Sequence, residues 1–315
     1  MKGGKAMDVI PLIVIAAISG GTTLLFAVLG GILSEKAGVN NLGTEGIMLV
    51  GAVLSAIVYS QTQSLSITLL CVMLGAGGLG LVHSFLCITL RTNQIVSGLA
   101  ITLFGTGFSA YIGKSVAGVP TSANIPTSNV PLLSSIPYIG PIFSSLNIFI
   151  WISVILAVVL YIYMYKTSWG LHLKAVGDNP STSDAMGISV VGFRYFHVIA
   201  GSMLMGLAGF YLVMIYSPAW IEGMTSGRGW IAIALIIFAR WNPIYALFGA
   251  YFFGGLDSLG FRMQLFDLGI PSYFLKMIPY IATIAVLMFI GWKNRNKPSI
   301  EPQSLGVPYF REQRF

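Results

Sequence analysis

The chain has 315 residues, of which 56% are hydrophobic and only 9% are charged, and its formal net charge is +7. A soluble domain carries about 25% charged residues, so this composition excludes a globular protein whose whole surface faces water. The apolar residues form long runs rather than the alternating pattern of a transmembrane β-barrel. We therefore predict an all-α, polytopic membrane protein.

Most lysines and arginines lie at the ends of apolar runs. This placement is typical of the positive-inside bias of membrane proteins rather than of a nucleic-acid interface, so no nucleic-acid partner is expected. Cys71 and Cys87 lie within apolar runs. We expect both to be small buried side chains, with neither a disulfide nor a metal site.

A transmembrane helix needs about 20 predominantly apolar residues. About nine spans are predicted on this basis, with short broken helices among them: 9–33, 44–59, 64–90, 95–112, 147–165, 192–216, 229–239, 243–259 and 273–292. Because the first run follows two lysines and continues without a clear cleavage site, it is expected to be a retained span rather than a signal peptide.

The orientation of the spans follows from the basic residues that flank two polar segments. The central loop 167–191 and the segment after the last span should both be cytoplasmic, because each is flanked by several lysines or arginines. The tail 298–315 is therefore predicted to be cytoplasmic. The same path puts the N-terminus outside, where Lys2 and Lys5 oppose the rule.

The loop 113–146 is predicted to be extracellular. It contains five prolines and the single charged residue Lys114. Such a long connection is too apolar for a free linker, so it is either a lid or receptor-facing cover, or a folded loop that closes the extracellular face.

The central loop 167–191 carries turn signals at Gly177-Asp-Asn-Pro180, followed by the polar stretch 181–186 and a helix stop at Gly187. This pattern predicts a short capped helix that faces water between two membrane spans. Such an element is suited to docking a soluble partner.

Two glycine-containing segments suggest an internal repeat. Gly43-Thr-Glu-Gly46 opens one apolar run, Ser226-Gly-Arg-Gly229 opens another, and each is followed by a run rich in small residues. The two halves run in opposite directions in the predicted topology. Inverted halves with short helices that start inside the membrane are a known transporter plan.

Polar residues near or within apolar runs are candidates for a translocation path, because a charge at mid-membrane costs at least ~2.5–3.5 kcal/mol. Local explanations remain open: a helix dipole for Glu45, an ordinary capped turn for 91–98, and an interhelical contact for Asp257. The candidates are Asn41, Glu45, Asn93, Gln94 and Asp257.

No catalytic constellation is found, so no enzyme activity and no cofactor are expected. Gly75-Ala-Gly-Gly-Leu-Gly80 matches a dinucleotide motif, but it lies inside an apolar span and is better explained by close helix packing. Gly113-Lys-Ser115 does not complete a P-loop. Mid-span acidic and histidine residues are scarce, which argues against a self-powered carrier.

Several stretches resemble the hallmarks of bacterial ABC importer permeases of the branched-chain amino acid, ribose and nucleoside superfamily. They include Asn40-Asn-Leu-Gly-Thr-Glu-Gly46, Asn93-Gln-Ile-Val-Ser-Gly98, Gly177-Asp-Asn-Pro180 and Gly227-Arg-Gly-Trp230. The tail Leu305-Gly-Val-Pro-Tyr-Phe-Arg-Glu312 is similar to nucleoside-type members in particular.

The resemblance implies an importer in the bacterial cytoplasmic membrane, with residues 1–297 as the transmembrane permease domain. Two permease subunits, expected to be different chains, would surround a central path. A separate ABC ATPase would supply the energy, and a substrate-binding lipoprotein would deliver the solute. The implied ATPase contacts lie in the central loop: Gly177, Asp178, Asn179, Asp184, Ala185 and Gly187.

The solute implied by the resemblance is a nucleoside. A simple sugar or riboflavin on the same architecture stays open, because these permeases share most of the motifs, and a self-powered secondary carrier is a third alternative. The polar Asn40-Asn41 pair and Thr44 depart from a more apolar family pattern; this extra polarity either tunes the choice of solute or has no effect on it.

Overall fold

The computed structural model describes residues 3–121, 125, 127, 143–263, 271–293 and 301–311. Over these ranges the chain is helical, which confirms the predicted all-α class. The helices are α1 (Gly3–Lys36), α2 (Thr44–Thr62), α3 (Leu65–Ser84), α4 (Gln94–Ile112), α5 (Ile148–Lys166), α6 (Ser168–Asp178), α7 (Pro180–Ala185), α8 (Val190–Tyr211), α9 (Arg228–Phe238), α10 (Pro243–Met263) and α11 (Ser272–Lys293).

Six of the described helices are long and apolar enough to cross a membrane: Ile13–Lys36, Thr44–Thr62, Leu65–Thr89, Gln94–Val116, Ile148–Lys166 and Val190–Tyr216. The predicted count of about nine is therefore not confirmed over the described ranges. Helix α9 has only 11 residues, which span about 16 Å of a hydrocarbon core about 30 Å thick. Helix α10 is longer but is not among the six.

Helices α1 and α8 form the centre of the bundle. Helix α1 packs against α5, α8, α9 and α10, and α8 packs against α2 and α3 as well. The backbones of α1 and α8 approach so closely that a Cβ atom on Gly30 would overlap the carbonyl oxygen of Gly201. Small residues thus allow the membrane helices to come into backbone contact, as is common in helical membrane proteins.

The two ends of the bundle differ in charge. We call the end where α1, α3, α5 and α9 terminate the basic end; it carries Lys36, Arg91, Lys166 and Arg240. We call the opposite end the Trp220 end. There, Thr121 Oγ1 donates a hydrogen bond to the Val213 carbonyl oxygen at 2.7 Å.

The described part of the loop 113–146 is folded against the Trp220 end. Ala117 forms an isolated bridge with Trp220, and Pro120 forms another with Ala219. This packing agrees with a folded loop that closes one face of the bundle. Most of 122–142 lies outside the described residues, so the lid alternative stays a prediction.

Candidate functional site

The starts of α2 and α9 meet at Glu45, whose side chain is buried. The Glu45 carboxylate accepts hydrogen bonds from Thr225 Oγ1 at 2.5 Å, from the Gly227 N–H at 2.9 Å and from the Gly229 N–H at 2.6 Å. These N–H groups belong to the first turn of α9, which has no helical partner for them. Glu45 therefore caps α9 while it also lies in the first turn of its own helix α2.

Two helix N-termini consequently stabilise one buried carboxylate, because each carries a partial positive charge. From this shared start α2 runs toward the Trp220 end, where Tyr59 and Gln63 lie beside Val116. Helix α9 runs to the basic end, where Trp241 Nε1 donates to Glu35 Oε2 at 2.6 Å. The opposite directions are those predicted for the two glycine-containing segments.

Only glycine fits where α2 and α9 touch. A Cβ atom on Gly229 would lie 2.5 Å from the Glu45 Cα, a separation that real Cβ atoms do not adopt. Gly227, the N-cap of α9, has a φ of +81°, a left-handed conformation that residues with a side chain rarely adopt. The glycines of this segment are thus needed for the junction itself.

Asp257 of α10 forms an ion pair with Arg228 of α9. Arg228 Nη2 lies 2.8 Å from Asp257 Oδ2, and the Tyr216 hydroxyl donates to the same oxygen at 3.5 Å. The Arg228 guanidinium also lies over the Tyr216 ring, 5.3 Å from its centroid. The interhelical contact predicted for Asp257 is therefore present, but sequence reasoning did not identify Arg228 as its partner.

A cavity of about 270 Å³ lies beside this ion pair. It is bordered by α1, α9, α10 and α11. Besides Arg228 and Asp257, its walls include Leu24, Ser226, Ile231, Phe253, Leu275 and Tyr280. A charged pair therefore borders an otherwise largely apolar space.

The candidate Asn41 lies in the turn before α2 and is buried. Its Oδ1 accepts a hydrogen bond from the Gly43 N–H at 2.9 Å, and its Nδ2 donates to Ser202 Oγ of α8 at 3.4 Å. Asn41 thus stabilises the turn that leads into α2 and ties it to α8. Its role in a translocation path stays a prediction.

Asn93 and Gln94 lie together at the start of α4. The exposed Asn93 caps this helix, since its Oδ1 accepts from the Ile95 and Val96 N–H groups at 2.9 and 3.2 Å. The local explanation for this stretch, an ordinary capped turn, is therefore present. The buried Gln94 accepts from the Asn40 N–H at 2.7 Å, so it ties the start of α4 to the turn before α2.

His83 also contacts the turn before α2 and the start of α4, and sequence reasoning did not identify this contact. Its ring lies 2.9 Å from both the Asn40 carbonyl oxygen and Ser97 Oγ. The five path candidates therefore divide into two groups. Glu45 and Asp257 lie next to Arg228, whereas Asn41, Asn93 and Gln94 lie around the turn that precedes α2.

The central polar loop folds into α6 and α7. Helix α7 is the predicted short capped helix, whereas the sequence did not predict α6. Asn179 Oδ1 accepts from the Thr182 N–H at 3.0 Å, and Pro180 occupies the first turn of α7. The candidates Asn179, Ala185 and Gly187 are exposed, Asp178 and Asp184 are half-buried, and Gly177 is buried. Gly187 has a φ of +82°, which ends α7.

The tail 301–311 packs against this loop, an arrangement that sequence reasoning did not predict. Ser304 donates to the Gly177 carbonyl oxygen from both its N–H, at 2.9 Å, and its Oγ, at 2.6 Å. Arg194 of α8 is only 1% exposed and donates to Ser304 Oγ at 3.1 Å. Arg311 Nε lies 3.0 Å from Asp184 Oδ2.

These contacts connect the membrane bundle to α6 and α7 through the tail. Gly177 also packs against the Lys36 carbonyl oxygen at the end of α1. Packed backbone and hydrogen bonds therefore connect this loop to both α1 and α8. Within the described part of the chain, no group of three His, Cys, Asp or Glu is arranged to hold a metal ion.

Comparison with known proteins gives one family match. The model of the branched-chain amino acid transport system permease component matches residues 13–287. A putative glucose ABC transporter permease of Haloferax volcanii is 36% identical over 94% of this chain and 97% of its own. No solved structure matches the chain.

Three further relatives are named for nucleosides. A guanosine ABC transporter permease of Bacillus subtilis is 33% identical over 98% of this chain and 99% of its own. A nucleoside ABC transporter permease of Lactococcus lactis is 33% identical over 92% of this chain and 94% of its own. A second nucleoside ABC transporter permease of L. lactis is 26% identical over 86% of this chain and 76% of its own.

Proposed function

Because the chain belongs to the family of permease components of branched-chain amino acid transport systems, we propose that it is the permease subunit of an ABC importer for a nucleoside. The family membership and the six apolar helices make it a multi-pass membrane protein. Its relatives are permease components of ABC transporters, and such components are not enzymes.

The observation that carries the proposal is the short polar helix α7 at the basic end of the bundle. Helix α7 lies there beside a bundle of apolar helices, with Ala185 and Gly187 exposed, and the sequence contains no nucleotide-binding motif of its own. A separate ABC ATPase docks on α7 and pushes on it when it binds and hydrolyses ATP. The six candidates 177–179, 184, 185 and 187 form this contact, and the basic end is cytoplasmic.

The second permease subunit is a different chain. This part of the proposal is supported by L. lactis, in which two nucleoside ABC transporter permeases match this chain with identities of 33% and 26%. The difference in identity fits two diverged subunits, of which this chain represents one type. A substrate-binding lipoprotein delivers the solute at the Trp220 end.

Relatives named for guanosine and nucleosides favour a nucleoside as the solute. The second candidate is a simple sugar, favoured by the 36% identity to the putative glucose permease. Binding of labelled guanosine and glucose to the lipoprotein encoded alongside this chain separates the two. If the lipoprotein binds glucose and not guanosine, the proposed solute becomes the sugar.

Transport itself is tested in proteoliposomes that contain this chain, its partner permease, the ATPase and the lipoprotein. We expect guanosine uptake in the presence of ATP. We expect no uptake when ADP replaces ATP or when the ATPase is omitted. Uptake that persists without the ATPase, driven by an ion gradient, would contradict the proposal and support a secondary carrier.

A further inference from the structure

We propose that the cavity between α1, α9, α10 and α11 binds the adjacent hydroxyl groups of the transported solute. Asp257 and Arg228 form the hydrogen-bonding pair of this site, and Tyr280 packs against the remainder of the solute. The inference rests on the proposed function, since it names the part of the solute that one site in the permease recognises.

The ion pair retains hydrogen-bonding capacity toward the cavity. Arg228 and Tyr216 both donate to Oδ2 of Asp257, and over the described ranges no side chain or backbone group binds Oδ1. The side chains of Arg228 and Asp257 are 13% and 29% exposed, and both border the cavity. A carboxylate accepts about four hydrogen bonds and a guanidinium donates five. Arg228 uses Nη2 for Asp257 and Nη1 for the carbonyl oxygens of Met224 and Thr225. Two of its five donors are left, so a hydroxyl pair can bind both groups.

The walls of the cavity have the composition of a small-molecule site. Leu24, Ile231, Phe253 and Leu275 supply apolar surface around a few polar groups, which is the usual composition of such pockets. The volume of about 270 Å³ lies just below the range of about 300–1,000 Å³ for ligand pockets. A nucleoside or a monosaccharide is a solute of suitable size.

Tyr280 is held at the edge of this space. Its hydroxyl donates to the Ser226 carbonyl oxygen at 2.8 Å, which keeps the ring at the cavity wall. An aromatic ring in this position packs well against a flat base or the apolar face of a sugar. The position of Arg228 is set in turn by Glu45, which binds the N–H groups on both sides of it, at Gly227 and Gly229.

A purely structural ion pair is the competing explanation. Partly buried ion pairs add little to stability compared with well-packed apolar side chains, because of the desolvation penalty. A charged pair at a cavity is thus better explained by a ligand than by helix packing. Adjacent hydroxyls are the chemistry that guanosine and glucose share, and relatives of this chain are named for both.

The first test compares guanosine with 2′,3′-dideoxyguanosine, which lacks the hydroxyl pair. Uptake of both is measured in the complete transporter with and without Asp257→Asn. Loss of a charge-assisted hydrogen bond should reduce guanosine uptake about tenfold or more, and should leave the remaining uptake of the dideoxy solute within about twofold. An equal loss for both solutes would overturn the proposal and leave only a structural ion pair.

The second test needs no transport. Ser226→Cys places a thiol on the cavity wall in a background with Cys71→Ser and Cys87→Ser, and the rate of labelling by a small maleimide is measured in the assembled transporter. Guanosine should slow the labelling several-fold, whereas the dideoxy solute should not. Unchanged labelling at guanosine concentrations that saturate uptake would overturn the site.

The two proposals fail in different ways. If ATP-driven guanosine uptake is normal but guanosine does not protect the thiol introduced at position 226, the proposed hydroxyl site is wrong. The proposed importer function then still stands. If the unmodified transporter takes up neither guanosine nor glucose, the proposed function is wrong, and the proposed site is wrong with it.

Discussion

The carboxylate of Glu45 accepts a hydrogen bond from the backbone N–H of Gly229, at 2.6 Å, although 184 positions separate the two residues. This contact joins the first turns of α2 and α9, which leave the junction toward opposite ends of the bundle. A buried carboxylate with three donors is strongly stabilised, because hydrogen bonds to a charged group are stronger than neutral ones. The junction therefore fixes the position of the short helix α9 relative to α2, next to the ion pair of Arg228 and Asp257.

Glu45→Gln should destabilise the permease. The neutral amide loses the charge that two helix N-termini stabilise, and about 1.5–3 kcal/mol is expected for a hydrogen bond to a charged group. Thermal unfolding of the detergent-solubilised transporter measures the effect. Glu222→Gln is the matched control, since Glu222 is exposed and such substitutions change stability by within about 0.5 kcal/mol. Equal melting temperatures for the two variants would contradict the role of Glu45.

Gly229→Ala should prevent correct assembly, because its Cβ atom would overlap the backbone of Glu45. The yield of monodisperse protein in size-exclusion chromatography is the measurement. Gly78→Ala is the control, since no atom lies within 4 Å of a Cβ at that position and alanine is the better helix former. A normal yield for the alanine at position 229 would mean that α2 and α9 do not touch as described.

Gly187→Val and Asp184→Lys should each uncouple ATP hydrolysis from transport while the subunit still inserts. Valine is strained at a φ of +82°, and lysine at position 184 repels Arg311 instead of pairing with it. ATP hydrolysis and guanosine uptake are measured together in proteoliposomes. Gly118→Val controls for the strain, because Gly118 also has a positive φ, +71°, with open space around it, but lies at the Trp220 end. Normal uptake in both variants would show that α7 is not the contact.

Ser304→Ala should release the tail from the bundle. The substitution removes the hydroxyl that donates to the Gly177 carbonyl oxygen and accepts from the buried Arg194, and it leaves only the backbone N–H of residue 304 as a donor to Gly177. The rate of backbone amide hydrogen exchange at residues 304–307 is expected to rise several-fold. Ser60→Ala is the control, since the Ser60 hydroxyl makes only a local hydrogen bond within α2. An unchanged rate would mean that Ser304 does not hold the tail.

A C-terminal tag reports the orientation of the chain. Arg311 is exposed, with 79% of its side chain accessible. Trypsin should therefore cleave the tail whenever the protease and the tail are on the same side of the membrane. Tag loss is expected in inverted membrane vesicles and not in right-side-out ones, because the basic end is proposed to be cytoplasmic. The reverse result would invert the topology.

Local patterns were sufficient for much of the fold. The helix caps at Asn93, Asn179 and Gly187 follow from short-range chemistry, and all three are where the sequence predicts a helix to begin or end. The 229–239 run is predicted as a span, yet α9 is too short to cross the membrane. Apolarity alone does not reveal that a helix begins within the membrane when another segment caps it.

The sequence by itself determined the solvent and the class of this protein, because a chain with 9% charged residues has to bury its helices in lipid. It also determined where the polar central loop lies. Only the tertiary structure decided which groups satisfy the buried charges: Glu45 with α9, Asp257 with Arg228, and Arg194 with Ser304 of the tail. These partners are 182, 29 and 110 positions apart, and no local pattern encodes such distances, since they depend on how the whole bundle packs.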